Sequence, residues 1–233
     1  MHHAAYAELG LPHTYEAIRC PAGSLSTTLV ELRQAGYRGV NITVPLKEEA
    51  LEACHADAFA LRCGAVNTID LESGVGINTD GPGFVESIRG TEGRRVLLLG
   101  AGGSARAVAV ALLDAGYEVA IWNRSSTRAE ALAQTVGADW TETIPSDGYE
   151  IAINATSSSL KNERLKMTFQ SDRTYIDLYY LKEGDTLFVA DARAADASAM
   201  DGRELLVAQG ALSFEFWLGI PAPRQAMRRA VGL

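Results

Sequence analysis

Cysteine is scarce in this chain: Cys20, Cys54 and Cys63 are its only three, with no CxxC pair and no cluster of histidines beside them. That argues against a disulfide scaffold and a tetrahedral zinc site, so no metal is expected, and reduced, buried thiols in a cytoplasmic protein are the expectation. Long hydrophobic runs are missing too. The longest, Ala107 to Leu113, stops at Asp114, far short of the ~20 residues that cross a bilayer. The N-terminus lacks the charged-then-apolar pattern of a secretion signal. No basic block exceeds two residues, as at Arg228-Arg229. With 21 Lys and Arg against 29 Asp and Glu, the net charge of -8 would repel a phosphate backbone. Neither nucleic acid nor membrane is an expected partner.

What is present is the balance of an ordinary globular protein, 47% hydrophobic and 21% charged over 233 residues, enough for two modest domains or one large one. Leu25, Leu29 and Leu32 recur at helical spacing between Ser24 and Ala35, and Gly36 follows where a helix would stop. The β-branched stretch from Gly39 to Val44 reads as a buried strand ended by Pro45. Lys47 to Ala60 returns to a helical pattern, Ala65 to Ile69 reads as extended, and Ser73 to Gly83 as glycine-rich turns. A short helix from Phe84 to Arg89 gives way to the polar Gly90-Thr91-Glu92-Gly93, a candidate domain boundary.

Beyond it the pattern changes. Arg95 to Leu99 is a continuous apolar run suited to a parallel strand covered on both faces, and a helix from Ser104 to Ala115 follows. A strand from Glu118 to Trp122, a helix from Thr127 to Val136, and strands at Ile151 to Asn154 and Thr174 to Leu178 continue the alternation. Such alternation predicts an α/β fold with a doubly wound parallel sheet. Gly202 to Trp217 is helical again.

Between the first strand and helix of this half lies Gly100-Ala101-Gly102-Gly103-Ser104-Ala105. Gly100-x-Gly102-x-x-Ala105 in that setting fits a dinucleotide fingerprint: the first glycine permits the turn, the second admits the pyrophosphate, and Ala105 lets the helix lie close on the strand. The helix N-terminus offers unpaired N–H groups to phosphate. Where an NAD site would carry Asp or Glu, this chain has Asn123-Arg124-Ser125-Ser126-Thr127-Arg128. Two guanidinium groups with hydroxyls between them suit the 2'-phosphate of NADP.

Lys47, Asn67 and Asp80 fall at the ends of predicted strands, where ligands bind in open α/β sheets. A carbonyl receiving hydride develops negative charge on oxygen. Lysine supplies a cation and a proton, and Asp80 would orient it. Taken singly, they are more readily a solvated lysine and an ordinary Asp-Gly turn than functional groups.

Together these pieces resemble the shikimate dehydrogenase family. The similarity runs through Asn41-Ile42-Thr43-Val44-Pro45-Leu46-Lys47, Gly64-Ala65-Val66-Asn67-Thr68, Asn78-Thr79-Asp80-Gly81, the fingerprint, Asn123-Arg124-Ser125 with Arg128, Asn154-Ala155-Thr156-Ser157, and Gln209-Gly210-Ala211 before Phe214 and Trp217. The resemblance implies NADP-dependent, reversible reduction of 3-dehydroshikimate to shikimate, a step of aromatic amino acid biosynthesis. Lys47 and Asp80 would be the catalytic pair, with Thr43, Asn67, Gln209 and Tyr180 on the substrate side. Gly100, Ala101, Gly102, Gly103, Ser104, Ala105, Asn123, Arg124, Ser125, Arg128, Thr156 and Ser157 would hold NADP. It further implies a substrate domain over 1–84, rejoined by helices in 205–233, an NADP domain over 85–204, a small-molecule substrate as partner, and a monomer or homodimer.

Three departures accompany the likeness. The family begins with a strand and a serine-x-serine-proline loop that binds the substrate carboxylate, whereas this chain starts at the following helix; unpaired backbone groups and a partly open core are expected there. Ser159 stands where a glycine is expected, and Leu181-Lys182 where a proline usually comes second. The alternatives are a quinate/shikimate dehydrogenase of broader substrate use and an NADP-binding protein with little turnover.

Overall fold

The structure is a computed structural model and describes residues 1–233. It divides into two compact units: Met1–Phe84 with Leu206–Leu233, and Val85–Leu205. No helix is long and apolar enough to cross a membrane.

The first unit contains α1 (His2–Glu8), α2 (Leu25–Gln34), β1 (Gly39–Asn41), α3 (Glu49–Ala53), β2 (His55–Ala56), α4 (Ala58–Cys63), β3 (Thr68–Asp70), β4 (Val75–Ile77) and the start of α5 (Asp80–Ser87). Its four-stranded sheet has the order β1-β3-β4-β2, with β1 and β4 antiparallel to β3, and β2 parallel to β4. Leu25 and Leu29 of α2 meet Ile42, Leu46, Val66 and Ile69 in one apolar cluster. Only Cys63 of the three thiols is buried; Cys20 and Cys54 are partly exposed, contrary to the expectation for all three.

The helical pattern from Lys47 to Ala60 is broken here into two short helices. Cys54 is fully extended, His55 and Ala56 pair with Val75 and Gly76, and the Asp57 carboxylate accepts from Ala60 N–H at 2.7 Å to start α4. A sheet edge and a good cap together outweigh the periodicity. Likewise α5 begins at Asp80, ahead of the expected Phe84, because Asn78 Oδ1 accepts from the N–H groups of Asp80 (3.0 Å) and Gly81 (3.3 Å) and Pro82 is tolerated in a first turn.

The second unit holds β5 (Arg95–Leu99), α6 (Gly103–Asp114), β6 (Glu118–Trp122), α7 (Ser126–Val136), β7 (Asp139–Thr141), β8 (Ile151–Asn154), β9 (Thr174–Asp177), α8 (Leu187–Ala194) and β10 (Ser198–Met200). All six strands are parallel in the order β10-β9-β8-β5-β6-β7, the doubly wound arrangement. Its topological switch falls between β5 and β8. Leu97, Leu98 and Leu99 are wholly buried, as a strand with helices on both faces requires.

Two helices follow, α9 (Arg203–Leu218) and α10 (Arg224–Arg229). Val207, Ala211 and Phe214 of α9 pack with Ala5 and Tyr6 of α1 and Met227 of α10. Helices α5 and α9 approach closely at Gly83, where an added Cβ would lie 2.7 Å from Gln209 N and 2.9 Å from its Cα. Backbone cannot yield there as a side chain would. Gly83→Ala is therefore expected to cost about 1 to 3 kcal/mol, lowering the melting temperature by roughly 2 to 4 °C per kcal/mol in a chain of this size. Thermal unfolding at equal temperature in the wild type and the variant would count against this close approach.

Candidate functional site

Strand register gathers the chemistry-bearing residues of the first unit. Asn41 pairs with Thr68 and Thr68 with Ile77, so the end of β1, the start of β3 and the end of β4 share one rim. Lys47 is held at that rim because Val66 N–H donates to its carbonyl at 2.9 Å, and Asn67 because its N–H donates to Ile77 O at 3.1 Å. Asp80 follows β4 as the first residue of α5.

The three side chains meet. Lys47 Nζ donates to Asp80 Oδ2 at 2.7 Å, and Asn67 Nδ2 donates to Asp80 Oδ1 at 2.8 Å. Both members of the ion pair are mostly covered, at 21% and 16% side-chain exposure, which limits solvent screening. Thr43 is exposed in the turn after β1. Gln209 lies on α9, half-buried, its amide donating to Leu206 O at 2.9 Å. Tyr180 belongs to the second unit, past β9, with its ring 6.3 Å from that of Tyr179.

The outer edge of β1 pairs with no strand. A cavity of about 600 Å³ runs beside it, walled by Tyr15, Ile18, Leu29, Val40 and Ile42 among others. Residues 11–21, which contribute to its other wall, have no regular secondary structure. Tyr15 reaches into the rim, its hydroxyl donating to Asn41 Oδ1 at 2.9 Å.

In the second unit, the carboxyl ends of β5 and β8 meet at the switch point. Gly100 has φ 122°, a conformation that disfavours a side chain, and an added Cβ would come within 2.9 Å of the Ala155 carbonyl group. Gly102 is the N-cap of α6 and Gly103 its first residue; added Cβ atoms there meet nothing within 4 Å. No side chain caps the helix and no acidic residue occupies its first turn. Buried Ala105 packs the helix down, with Ala101 and Ser104 half-buried beside it. Open space above uncapped N–H groups is what a pyrophosphate needs, so these residues fit a dinucleotide.

After β6, Asn123 Nδ2 donates to Ser125 O at 3.1 Å, and Ser125 and Thr127 share a hydroxyl hydrogen bond of 2.8 Å at the start of α7. Arg124 and Arg128 are exposed and make no hydrogen bond or ion pair through their side chains. Arg124 borders a cavity of about 480 Å³ shared with Trp122, Ser158, Arg164 and Lys166. Thr156 is spoken for: its hydroxyl donates within the Asn154–Ser158 turn, 2.7 Å from Asn154 Oδ1 and 2.8 Å from Ser158 Oγ. Ser157 is exposed.

A hub beneath this turn escaped sequence reasoning. Asp177 is wholly buried and accepts from Ser159 Oγ, Thr186 Oγ1 (2.7 Å), Asn154 Nδ2 (3.3 Å) and Tyr179 N–H (3.0 Å). Ser159, the residue in place of a glycine, thus ties the turn to β9. Burial pushes the Asp177 carboxyl above the ordinary aspartate value, although the four donors pull it down. A raised folded value contributes stability that is present below the ordinary value and lost as pH rises through the raised one. The melting temperature of the wild type minus that of Asp177→Asn should fall as pH is raised across that window. A pH-independent difference would show that Asp177 does not titrate there.

A doubly wound sheet with an uncapped fingerprint helix, in one chain with a unit carrying a lysine–aspartate pair, defines a dinucleotide-dependent α/β dehydrogenase. Family models narrow the class. Residues 1–69 match the shikimate dehydrogenase substrate binding domain, 85–178 match shikimate / quinate 5-dehydrogenase, and 202–231 match the shikimate 5'-dehydrogenase C-terminal domain. An NADP(+) shikimate dehydrogenase of Thermus thermophilus is 39% identical over 250 residues, covering 100% of this chain and 93% of the relative. That of Methanothrix thermoacetophila is 35% identical, covering 99% and 90%. The crystal structure of the Thermus thermophilus enzyme with NADP(H) and shikimate superposes with a TM-score of 0.89 at 36% identity, over 99% of this chain and 91% of that one. A 5-ketofructose reductase of Gluconobacter sp. strain CHM43 is also similar, with a TM-score of 0.87 at 30% identity, over 98% and 90%. The chain belongs to the shikimate dehydrogenase family.

Proposed function

We propose that this chain catalyses the reversible, NADP-dependent reduction of 3-dehydroshikimate to shikimate, with Lys47 and Asp80 as its catalytic pair. The observation that carries the reading is the 2.7 Å contact between Lys47 Nζ and Asp80 Oδ2, braced by Asn67. When bound, NADP supplies or accepts the hydride. Lys47 Nζ presents a cation and a proton to the oxygen on which charge develops; Asp80 Oδ2 accepts from that ammonium and sets its direction. Asn67 Nδ2 holds the other carboxylate oxygen, so Asp80 does not rotate away. Thr43, Asn67, Gln209 and Tyr180 are assigned to the substrate. Gly100, Ala101, Gly102, Gly103, Ser104 and Ala105 are assigned to the pyrophosphate, Asn123, Arg124, Ser125 and Arg128 to the adenosine phosphate, and Thr156 and Ser157 to the remaining cofactor path.

The reading includes a substrate domain over 1–84 with 205–233, a cofactor domain over 85–204, a cytoplasmic setting and a monomer or homodimer. Its likeness to a 5-ketofructose reductase favours a second reading, a quinate/shikimate dehydrogenase of broader substrate use. The open edge of β1 favours a third, cofactor binding with little turnover. Steady-state assays with shikimate and quinate, each with NADP and NAD, separate the three. Shikimate with NADP should give the highest kcat/KM. Preference for another substrate supports the second reading, and binding of NADP without turnover the third.

A further inference from the structure

Behind the lysine–aspartate pair lies a hydrogen-bonded cluster that the proposed reaction does not use directly. Thr68, Thr79 and Ser213 are 0%, 1% and 0% exposed, and the partly buried Asn41 joins them. Their protons can be apportioned. Ser213 Oγ lies 3.0 Å from the carbonyl of Gln209, which can only accept, so the serine proton goes there. Its oxygen is then an acceptor for Asn41 Nδ2 at 2.9 Å and for the Thr68 hydroxyl at 2.8 Å. With the serine oxygen so occupied, its longer contact with Thr79, at 3.3 Å, is the weaker option, and the Thr79 hydroxyl donates to Asn67 Oδ1 at 3.2 Å, beside the Thr79 N–H at 2.8 Å. Two donors on Oδ1 fix the amide of Asn67 with its Nδ2 toward Asp80, and hence Asp80 toward Lys47.

We infer that Ser213 is a positioning residue for the catalytic pair, acting through Thr68, Thr79 and Asn67; the inference rests on the function proposed above. Without its oxygen, Thr68 turns to Asn67 Oδ1 at 3.1 Å, where three donors compete for one oxygen with two lone pairs. The Thr68–Thr79 contact, at 3.4 Å, is too long to relieve them well. The same serine also anchors the backbone of Gln209 one turn earlier on α9, so one hydroxyl sets groups on two elements.

The test compares Ser213→Ala, Ser213→Thr and a core control on the same helix, Val207→Ala, in the full chain. Ser213→Ala should lower kcat with shikimate by about ten-fold, the scale of one buried donor left unmatched, with KM for NADP unchanged. Ser213→Thr, which keeps the hydroxyl, should recover most of that loss. Val207→Ala should lower the melting temperature at least as far while kcat stays within roughly two-fold of the wild type. Independently of turnover, solvent exchange of the Asn67 side-chain amide protons, followed by NMR, should be about ten-fold faster in Ser213→Ala. Wild-type kcat in Ser213→Ala, an equal loss in Val207→Ala, or unchanged amide exchange would overturn the inference. A wild type that fails to oxidise shikimate would sink the proposed reaction instead, and the exchange measurement would still decide the role of Ser213.

Discussion

Lys47→Ala should lower kcat by about 10²- to 10⁴-fold, the usual worth of a positioned acid–base group, while NADP affinity survives. The residues assigned to the cofactor belong to the second unit, and Lys47 to the first. Because Asp80 has both carboxylate oxygens committed, one to Lys47 and one to Asn67, removing either member of the pair disables the other. Groups that act as a unit lose their effects non-additively. The double variant Lys47→Ala/Asp80→Ala should therefore be little worse than the poorer single variant. Both singles and the double would be measured at saturating NADP, with folding checked by circular dichroism. Multiplying losses, or an unchanged kcat with only a raised KM for shikimate, would demote the pair to substrate binding.

Arg124→Ala should weaken NADP binding by about ten-fold or more and leave NAD almost untouched. A charge-assisted hydrogen bond contributes roughly 1.5 to 3 kcal/mol, and removing Arg128 as well should bring the loss to about 10²-fold or more. Neither guanidinium has a partner within the chain, so neither substitution should disturb folding. That makes the experiment clean: titration of both cofactors by fluorescence reads recognition alone. Equal losses for NADP and NAD would place the two arginines elsewhere than at the 2'-phosphate.

The second unit was far easier to read from sequence than the first, and the reason is element length. Strands β5 and β6 are five residues each, followed by helices of 12 and 11, so their apolar patterns repeat enough to be unmistakable. The three-residue β7 and β10 pass below that threshold, as does β4 in the first unit, while β1 and β3 are legible as extended stretches but not in their bounds. Lys47, Asn67 and Asp80 could each be singled out, but their meeting depends on the register of β1, β3 and β4, which no local pattern encodes. Thr68 and Thr79 stand inside motifs of the resemblance without a role of their own, and Ser213 in none, because small hydroxyl residues occur everywhere; the four-residue spacing from Gln209 to Ser213 is the one local clue. Ser159 was visible as a departure, and its reason needed the buried Asp177 beside it.

The bare start of α6 has a thermodynamic consequence. Its first N–H groups have no capping side chain, and Gly102 and Gly103 leave the space above them open, so without a ligand the first turn relies on water and tends to fray. A pyrophosphate bound there, as proposed above, would complete that turn, and whatever binds only the folded chain adds RT ln(1 + [L]/Kd) to its stability, about 2.7 kcal/mol at a hundred times Kd. On the proposed assignment, heat resistance of the second unit would rise with the concentration of NADP: the helix end assigned to the ligand is also where its removal would first loosen the fold.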